Sequence, residues 1–225
     1  MDQISIEQQL RKMKEDWDQR ARENARHYVA TSNTEWTDEE FFSSGEKAMA
    51  EEILNDLGNI CQGKPPGEMR VLEIGCGAGR VTRALAKFFG EVHAVDVSAE
   101  MVRLATEALR GYSNVFVYQN NGKDLTVVPQ RQFDFAFSMI VFQHIPNREI
   151  IESYVREVHR LLRPGALFKF QVQGDNTMET KPDDTWLGAP FSERQAVDMG
   201  MRCGFEPRYR HGAGDQYFWL WFFKR

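Results

Sequence analysis

The sequence predicts an α/β protein: a doubly wound, seven-stranded, mainly parallel sheet with an antiparallel last strand and an N-terminal helical cap. Two observations in the 225 residues predict this fold class. Beyond residue 66, short apolar runs alternate with amphipathic helical segments, which is the pattern of parallel strands joined by right-handed helical crossovers. A glycine-rich segment also stands between the first of these strands and the first of these helices, where doubly wound sheets bind their ligands.

The chain begins with a predicted helical extension, residues 1–66, which precedes a core, residues 67–225, within a single structural domain. The boundary follows from Pro65 and Pro66, which stand between glycines and break any helix. Apolar spacings of three and four residues predict two helical segments before it. Their apolar positions are Ile6, Leu10, Met13 and Trp17, and then Met49, Ile53, Leu57 and Ile60.

The core is predicted to contain five parallel strands with helices between them. The strands are expected at 69–74, 91–97, 114–119, 133–138 and 167–173, and the helices near 79–89, 98–110 and 147–162. Ser98 and Asn147 stand at helix N-caps, and Gly90 and Gly165 follow the helix ends.

The C-terminal part has a different pattern. Ser192 and Gln195 form a capping box that opens a short helix, and this helix ends at Gly204. Two strands follow at 205–210 and 216–224, joined by a loop that contains two glycines. This hairpin is expected to add an antiparallel strand at the edge of the sheet.

Composition excludes several classes of protein. The longest apolar run, 217–223, is too short to span a bilayer, and the N-terminus lacks the features of a signal peptide, so we expect a soluble, cytoplasmic protein with no membrane partner. Three cysteines without a CxxC pair support neither a disulfide framework nor a metal site. The net charge of −5, with no basic tract, gives no reason to expect a nucleic-acid partner.

The glycine-rich segment contains Gly75, Gly77 and Gly79, so it departs from the G-x-G-x-x-G spacing of dinucleotide-binding proteins. An acidic residue, Asp96, ends the next strand. Its carboxylate has enough lone pairs to accept both hydroxyls of a ribose. The strict pattern of nicotinamide dinucleotide binding therefore fails in this segment.

The E-x-G-x-G-x-G segment that starts at Glu73, together with Asp96, resembles the class I S-adenosylmethionine-dependent methyltransferases, in particular the small-molecule type 11/12 group. The resemblance implies a Rossmann-like core with strand order 3-2-1-4-5-7-6, S-adenosyl-L-methionine as cofactor and S-adenosyl-L-homocysteine as product. It implies a cofactor site whose first part comprises Glu73, Gly75, Cys76, Gly77, Gly79, Asp96 and Val97.

Further short segments resemble the same group in the same order. Asn121 and Gly122 match the end of the third strand, where the group reads the adenine amino group. Ser138 and Met139 match the end of the fourth strand, which lines the sulfonium. The segment 161–165 matches the Leu-x-Pro-Gly turn into the fifth strand, and Trp17 stands in an aromatic-Asp-x-x-Ala stretch that covers the cofactor.

Several residues have two interpretations. His144, in the turn after the fourth strand, is either a catalytic general base or a hydrogen-bonded structural residue. Cys76 either has a pKa lowered by the nearby helix N-terminus or is a small residue that fits between glycines. Gln171 and Gln173 share one face of the fifth strand, as pocket residues or as structural ones.

The predicted function is methyl transfer to a small-molecule acceptor, by a monomer or homodimer whose N-terminal helices and 174–191 loop form the substrate cap. The alternatives are a non-catalytic S-adenosylmethionine-binding sensor or partner subunit, a nicotinamide-dependent oxidoreductase, and a nucleic-acid methyltransferase. Against the last, the chain has no Asn/Asp-Pro-Pro-aromatic segment after the fourth strand.

Overall fold

The computed structural model describes residues 4–175, 177, 181 and 183–225, and it contains one seven-stranded sheet with helices on both faces. The strands lie in the order β3-β2-β1-β4-β5-β7-β6. Their bounds are β1 Arg70–Ile74, β2 Glu91–Asp96, β3 Val115–Gln119, β4 Phe133–Ser138, β5 Leu162–Val172, β6 Phe205–His211 and β7 Phe218–Lys224. The predicted fold class and strand order are confirmed.

Seven α-helices accompany the sheet in the described part of the chain, with short 3₁₀ turns between some of them. Their bounds are α1 Ile6–Val29, α2 Asp38–Glu52, α3 Leu57–Cys61, α4 Arg80–Phe88, α5 Ala99–Ala108, α6 Arg148–Leu161 and α7 Glu193–Arg202. One apolar layer lies between the sheet and α2, α3 and α4, and a second lies between the sheet and α6 and α7. No helix of the described residues combines the length and apolar character that crossing a bilayer requires.

The hairpin predicted at the sheet edge is formed by β6 and β7, in the predicted order. The antiparallel strand β7 pairs with both β5 and β6, so it lies inside the sheet and β6 forms the edge. The burial of the two strands explains the order. β7 is apolar on both faces and almost fully buried, as an interior strand requires, whereas most of β6 is exposed.

The second predicted helical segment, which includes Met49 and Ile60, is not continuous. α2 ends at Glu52, a 3₁₀ turn spans Leu54–Asp56, and α3 follows. Asn and Asp compete with helix formation through their own side-chain hydrogen bonds, and here Asp56 accepts from Trp221 Nε1 at 2.6 Å. β5 also begins earlier than predicted, at Leu162, with an irregular register opposite Phe133 and Phe135.

α1 covers the carboxyl-terminal edge of the sheet. It begins with a capping box at Ser5 and has non-helical backbone at Asn24. The amide of Asn24 donates to Thr34 O at 2.9 Å, and its carbonyl accepts from His27 N at 3.2 Å. This interruption turns the last residues of α1 onto the glycine loop, where Val29 packs against Gly77.

A buried carboxylate connects the end of the N-terminal extension to the starts of β1 and β5. Asp134, at the start of β4, accepts from Lys64 Nζ at 2.8 Å, Arg70 N at 2.9 Å and Arg163 Nε at 3.0 Å. Burial favours the neutral carboxyl, but the bonds from Lys64, Arg70 N and Arg163 hold the pKa of Asp134 below its usual value.

We expect Asp134→Ala to lower the free energy of unfolding by about 2 kcal/mol at pH 7, because it removes charged hydrogen bonds and leaves their donors unpaired. The pKa of Asp134 is lower in the folded protein than in the unfolded chain. Its contribution to stability is therefore present above the unfolded pKa and is lost as the pH falls below about 4. Denaturant unfolding at several pH values measures this, with the exposed Glu15→Ala as control. A loss of stability that is equally large at pH 3 would contradict the assignment.

Candidate functional site

A cavity of about 860 Å³, including its opening to solvent, lies at the carboxyl-terminal edge of the sheet beneath α1. The walls come from the glycine loop, the ends of β2, β3 and β4, the 3₁₀ turn Phe142–His144, and α1, α4, α5 and α6. The lining side chains and loop residues include Met13, Trp17, Tyr28, Val29, Glu73, Gly75, Cys76, Gly77, Arg80, Asp96, Val97, Met101, Asn120, Met139, Ile140, Val141, His144, Ile145 and Tyr154.

The glycine loop joins β1 to α4 and requires left-handed backbone at the cavity wall. Gly75 and Gly77 have φ values of +74° and +53°. A Cβ would lie 2.2 Å from a Val141 methyl at Gly75, and 2.6 Å from a Val29 methyl at Gly77. Neither position accepts a side chain, so the backbone itself forms the surface of the cavity.

Asp96 links the glycine loop to the start of α5. Its Oδ2 accepts from Gly77 N and its Oδ1 accepts from Ser98 N, both at 2.9 Å. Burial is the main cause that raises its pKa to about 6, and the nearby carboxylate of Asp18 acts in the same direction. Each carboxylate oxygen retains a lone pair that can accept from a hydroxyl group in the cavity.

Three lining residues carry buried polar atoms without a partner among the described residues: Glu73 Oε2, Arg80 Nε and Asn120 Oδ1. Burial raises the pKa of Glu73 to about 7 and lowers the pKa of Arg80. Buried polar atoms of native proteins nearly always have a partner. Two acceptors and one donor around an apolar cavity are therefore suited to a polar ligand with both kinds of group.

Asn120, rather than the predicted Asn121, lies in the cavity wall. Its Nδ2 donates to Tyr154 OH at 2.6 Å, and this bond fixes which way the amide faces. Asn121 is exposed, and its Oδ1 instead accepts from Lys123 N and Asp124 N, both at 2.9 Å. In this turn Asn121 Oδ1 is already hydrogen-bonded to the backbone, so it is not available to the adenine amino group of the cofactor as predicted.

Three other predicted residues also lie outside the lining. Gly79 is the N-cap of α4, and Gly122 packs against Met13 of α1. Ser138 Oγ donates to Ile74 O at 2.8 Å, which joins β4 to β1. The structure does bring the other predicted residues together: Trp17, Glu73, Gly75, Cys76, Gly77, Asp96, Val97, Met139 and His144.

Cys76 lines the cavity, but burial raises the pKa of its thiol well above the usual value. This supports the interpretation of Cys76 as a small residue that fits between glycines. Among the described residues, no group of three or more His, Cys, Asp or Glu side chains is arranged to hold a metal ion.

The turn after β4 carries a strained residue that the sequence did not indicate. Ile140 has a φ of +58°, which is costly for a β-branched side chain. Gln171 holds this conformation, because its Oε1 accepts from Ile140 N at 2.7 Å. Gln171 is thus a structural support for the cavity wall, and Gln173 accepts from Asp175 N at 3.1 Å farther along the chain.

His144 faces the cavity and is 5% exposed. Its Nδ1 lies 2.6 Å from Trp186 O, and its ring makes an edge contact with Trp17 at 5.3 Å between centroids. Burial is the main cause that lowers the pKa of His144 to about 4, and the charge of Arg20 adds to it. The imidazole is therefore neutral at pH 7.

The comparisons with known proteins agree with this geometry. A family profile described as "Methyltransferase domain" matches residues 71–165. The chain is 26% identical over 140 residues to malonyl-[acyl-carrier protein] O-methyltransferase of Priestia megaterium, and 31% identical over 98 residues to ubiquinone biosynthesis O-methyltransferase of Xanthomonas oryzae pv. oryzae. These matches cover 61% and 43% of this chain, and 48% and 40% of those proteins, so the chain spans about half the length of these relatives or less.

Solved structures resemble nearly the whole chain. The DhpI–SAH complex is 22% identical, with a TM-score of 0.64, and the match covers 95% of each chain. Magnesium protoporphyrin IX methyltransferase (ChlM) of Synechocystis PCC 6803 is 15% identical, with a TM-score of 0.66, and the match covers 94% of this chain and 98% of that one.

A glycine-loop cavity at the carboxyl edge of a doubly wound sheet defines a Rossmann-like, nucleotide-cofactor fold. The strand order with β7 between β5 and β6, together with the family match, narrows this class of folds to the methyltransferases. Residues 71–165 match a methyltransferase domain family, and the chain has the Rossmann-like fold of class I S-adenosylmethionine-dependent methyltransferases.

We expect Asn120→Ala to weaken binding of S-adenosylhomocysteine by about tenfold, because it removes a buried acceptor that faces the cavity. Asn121→Ala is the matched control and should leave the affinity unchanged. Tyr154→Phe, which releases the Asn120 amide, should produce an intermediate loss. Calorimetric titration measures all three variants, and a large loss in Asn121→Ala alone would restore the original assignment.

Proposed function

We propose that the chain binds S-adenosylmethionine in this cavity and transfers its methyl group to an oxygen atom of a small-molecule acceptor. The observation that carries the proposal is the set of unpartnered polar atoms on Glu73, Arg80 and Asn120, placed around the glycine loop and Asp96. The bound cofactor would supply a methyl group already activated by the sulfonium. The protein then has to align the acceptor and exclude water.

Each polar group of the cavity has a counterpart on the cofactor. The carboxylate of Asp96 suits the two ribose hydroxyls, and Asn120 Oδ1 suits the adenine amino group. Glu73 and Arg80 carry opposite charges when ionised, which suits the ammonium and carboxylate of the methionine part. Gly79, Asn121, Gly122 and Ser138, which lie outside the lining, would then make no contact with the cofactor.

The acceptor end is proposed to lie between Trp17, Tyr28 and His144. The two relatives named above act, by their names, on malonyl-[acyl-carrier protein] and in ubiquinone biosynthesis, and both are O-methyltransferases. An acceptor oxygen that carries a proton needs a base. The neutral His144 is the candidate, because its Nδ1 is engaged with Trp186 O and its other nitrogen is left to accept a proton.

The N-terminal extension, residues 1–66, is proposed to act as the cap. Met13, Trp17, Tyr28 and Val29 of α1 line the cavity directly. α1 is joined to the core by Asp18 Oδ1, which accepts from Ser98 Oγ at 2.7 Å, and by Gln9, which accepts from Asn147 at 2.7 Å. Of the proposed 174–191 cap loop, residues 176, 178–180 and 182 lie outside the described residues. A monomeric or homodimeric state remains a prediction.

We expect the full-length protein to bind S-adenosylhomocysteine at micromolar to millimolar concentrations and not to bind NADH in a calorimetric titration. The affinity should fall as the pH is lowered from about 7 to below 6, because Glu73 and Asp96, with pKa values raised to about 7 and about 6, become protonated. Asp96→Ala should weaken binding by about 1–3 kcal/mol. Binding of NADH in place of S-adenosylhomocysteine would instead support a nicotinamide-dependent oxidoreductase.

Methyl transfer itself is tested by release of S-adenosylhomocysteine from S-adenosylmethionine with a panel of hydroxyl-bearing small molecules. Turnover with one of them excludes a sensor without catalysis. Tight cofactor binding without turnover on any acceptor, across phenols, alcohols and carboxylic acids, would favour the sensor.

We expect His144→Asn to lower kcat by about a hundredfold at unchanged cofactor affinity, since a lost general base costs roughly 10²–10⁴. The residual rate should rise with pH as the acceptor hydroxyl ionises in solution. Steady-state kinetics on the acceptor found in the panel provide the measurement. A rate within about threefold of the wild type would make His144 structural.

A further inference from the structure

A short segment, residues 184–189, packs directly against the turn that carries His144. Gly188 N donates to Gln143 O at 2.6 Å, and Ala189 N donates to Ile145 O at 2.8 Å. A Cβ at Gly188 would lie 2.6 Å from the carbonyl oxygens of Gln143 and Ile145. The two backbones are thus in contact on both sides of His144, and only glycine permits this approach.

The contact between His144 and this segment determines the tautomer of the imidazole. Trp186 O carries no proton, so at 2.6 Å the Nδ1 of His144 must be the donor. A neutral ring with its proton on Nδ1 has a lone pair on Nε2. No partner for Nε2 is found among the described residues, and the side chain lines the cavity.

The turn that carries the Trp186 carbonyl is held from two directions. Asp184 Oδ1 accepts from Trp186 N at 2.8 Å and from Leu187 N at 2.9 Å, which closes the turn. From α1, Asp16 Oδ2 accepts from Thr185 Oγ1 at 2.5 Å, and Arg20 Nη1 donates to Thr185 O at 3.2 Å.

Aromatic packing restricts the same group of residues. The guanidinium of Arg20 lies 4.8 Å from the ring centroid of Trp17 and 5.3 Å from that of Trp186. The indole of Trp186 lies 5.0 Å from the His144 ring. The orientation of His144 therefore depends on residues of α1 that are more than 100 positions away in the sequence.

We propose that residues 184–189 are a positioning element for His144, which Asp184 keeps folded and Asp16 and Arg20 of α1 hold in place. The element fixes the proton on Nδ1 and presents the Nε2 lone pair to the acceptor. The substrate class that matches this arrangement is a molecule with a neutral hydroxyl. Its proton moves to Nε2 while its oxygen takes the methyl group, and the imidazolium then carries the positive charge that the sulfonium loses.

This inference rests on the proposed function only for the role of the proton; the tautomer and its support are properties of the protein alone. The charged groups that act on His144 are Arg20, which lowers its pKa, and Asp184, which raises it, in addition to burial. Geometry and charge can therefore be separated at position 184. Asp184→Asn removes the charge but keeps an oxygen that can accept from Trp186 N and Leu187 N, whereas Asp184→Ala removes both.

The test uses the full-length protein labelled with ¹⁵N in its histidines. Long-range ¹H–¹⁵N spectra report which ring nitrogen carries the proton, and His144→Asn identifies the His144 signals. We expect the Nδ1–H tautomer in the wild type and in Asp184→Asn, and a mixture of tautomers in Asp184→Ala and in Gly188→Ala. Arg20→Gln should raise the pKa of His144, whereas the control Arg22→Gln, an exposed arginine on the same helix, should not.

Kinetics supply a second readout. We expect kcat to fall about tenfold to a hundredfold in Asp184→Ala, with recovery in Asp184→Asn and unchanged affinity for S-adenosylhomocysteine, because misplacement of a catalytic group costs rates of this size. An Nε2–H tautomer in the wild type would overturn the proposal, as would a wild-type tautomer in both Asp184→Ala and Gly188→Ala. Failure of the protein to bind S-adenosylhomocysteine would count against the proposed function and leave the tautomer result standing.

Discussion

The carboxylate of Asp96 is the interaction on which the site depends. Asp96 is the last residue of β2. Its carboxylate accepts one hydrogen bond from a backbone N–H of the glycine loop after β1 and another from a backbone N–H at the start of α5. Val95, one residue earlier, accepts from Gly75 N at 2.8 Å and from Cys76 N at 3.1 Å. The glycine loop is therefore shaped by hydrogen bonds from its backbone to the end of the neighbouring strand.

The buried charged groups of this site lower the stability of the protein without ligand. Asp96 and Glu73 are carboxyls whose pKa is raised by burial, so their ionised forms are destabilised in the protein without ligand. Arg80 is buried nearby with its pKa lowered. A ligand that supplies hydroxyl, ammonium and carboxylate groups would offset these costs. Functional sites commonly contain buried charged groups of this kind, which lower the stability of the protein locally.

α1 connects the proposed cofactor region to the proposed acceptor end. It contributes Met13 and Trp17 to the cavity, Asp18 to the start of α5, and Asp16 and Arg20 to the segment that supports His144. The helix is therefore part of the proposed active site as well as its cover. Its opening would change the cavity and the surroundings of His144 together.

Much of this was predictable from the sequence because it depends on local pattern. Strand and helix periods, caps and alternating glycines specified the sheet, and Asp96 followed from its position at the end of a strand. Asn120 and Asn121 were not distinguishable in that way, because their assignment depends on the hydrogen bond to Tyr154, 34 positions along the chain. Gly188, Asp184 and Arg20 carry no local signal either, since their importance arises only when distant segments meet.

The central claim is that this cavity holds S-adenosylmethionine with its ribose on Asp96 and its sulfur toward His144. A crystal structure of the protein with S-adenosylhomocysteine tests it most directly. The account predicts both ribose hydroxyls within hydrogen-bond distance of the Asp96 carboxylate, the adenine amino group on Asn120 Oδ1, and His144 Nδ1 still on Trp186 O. A nucleoside bound without contact to Asp96, or with its sulfur directed away from His144, would contradict it.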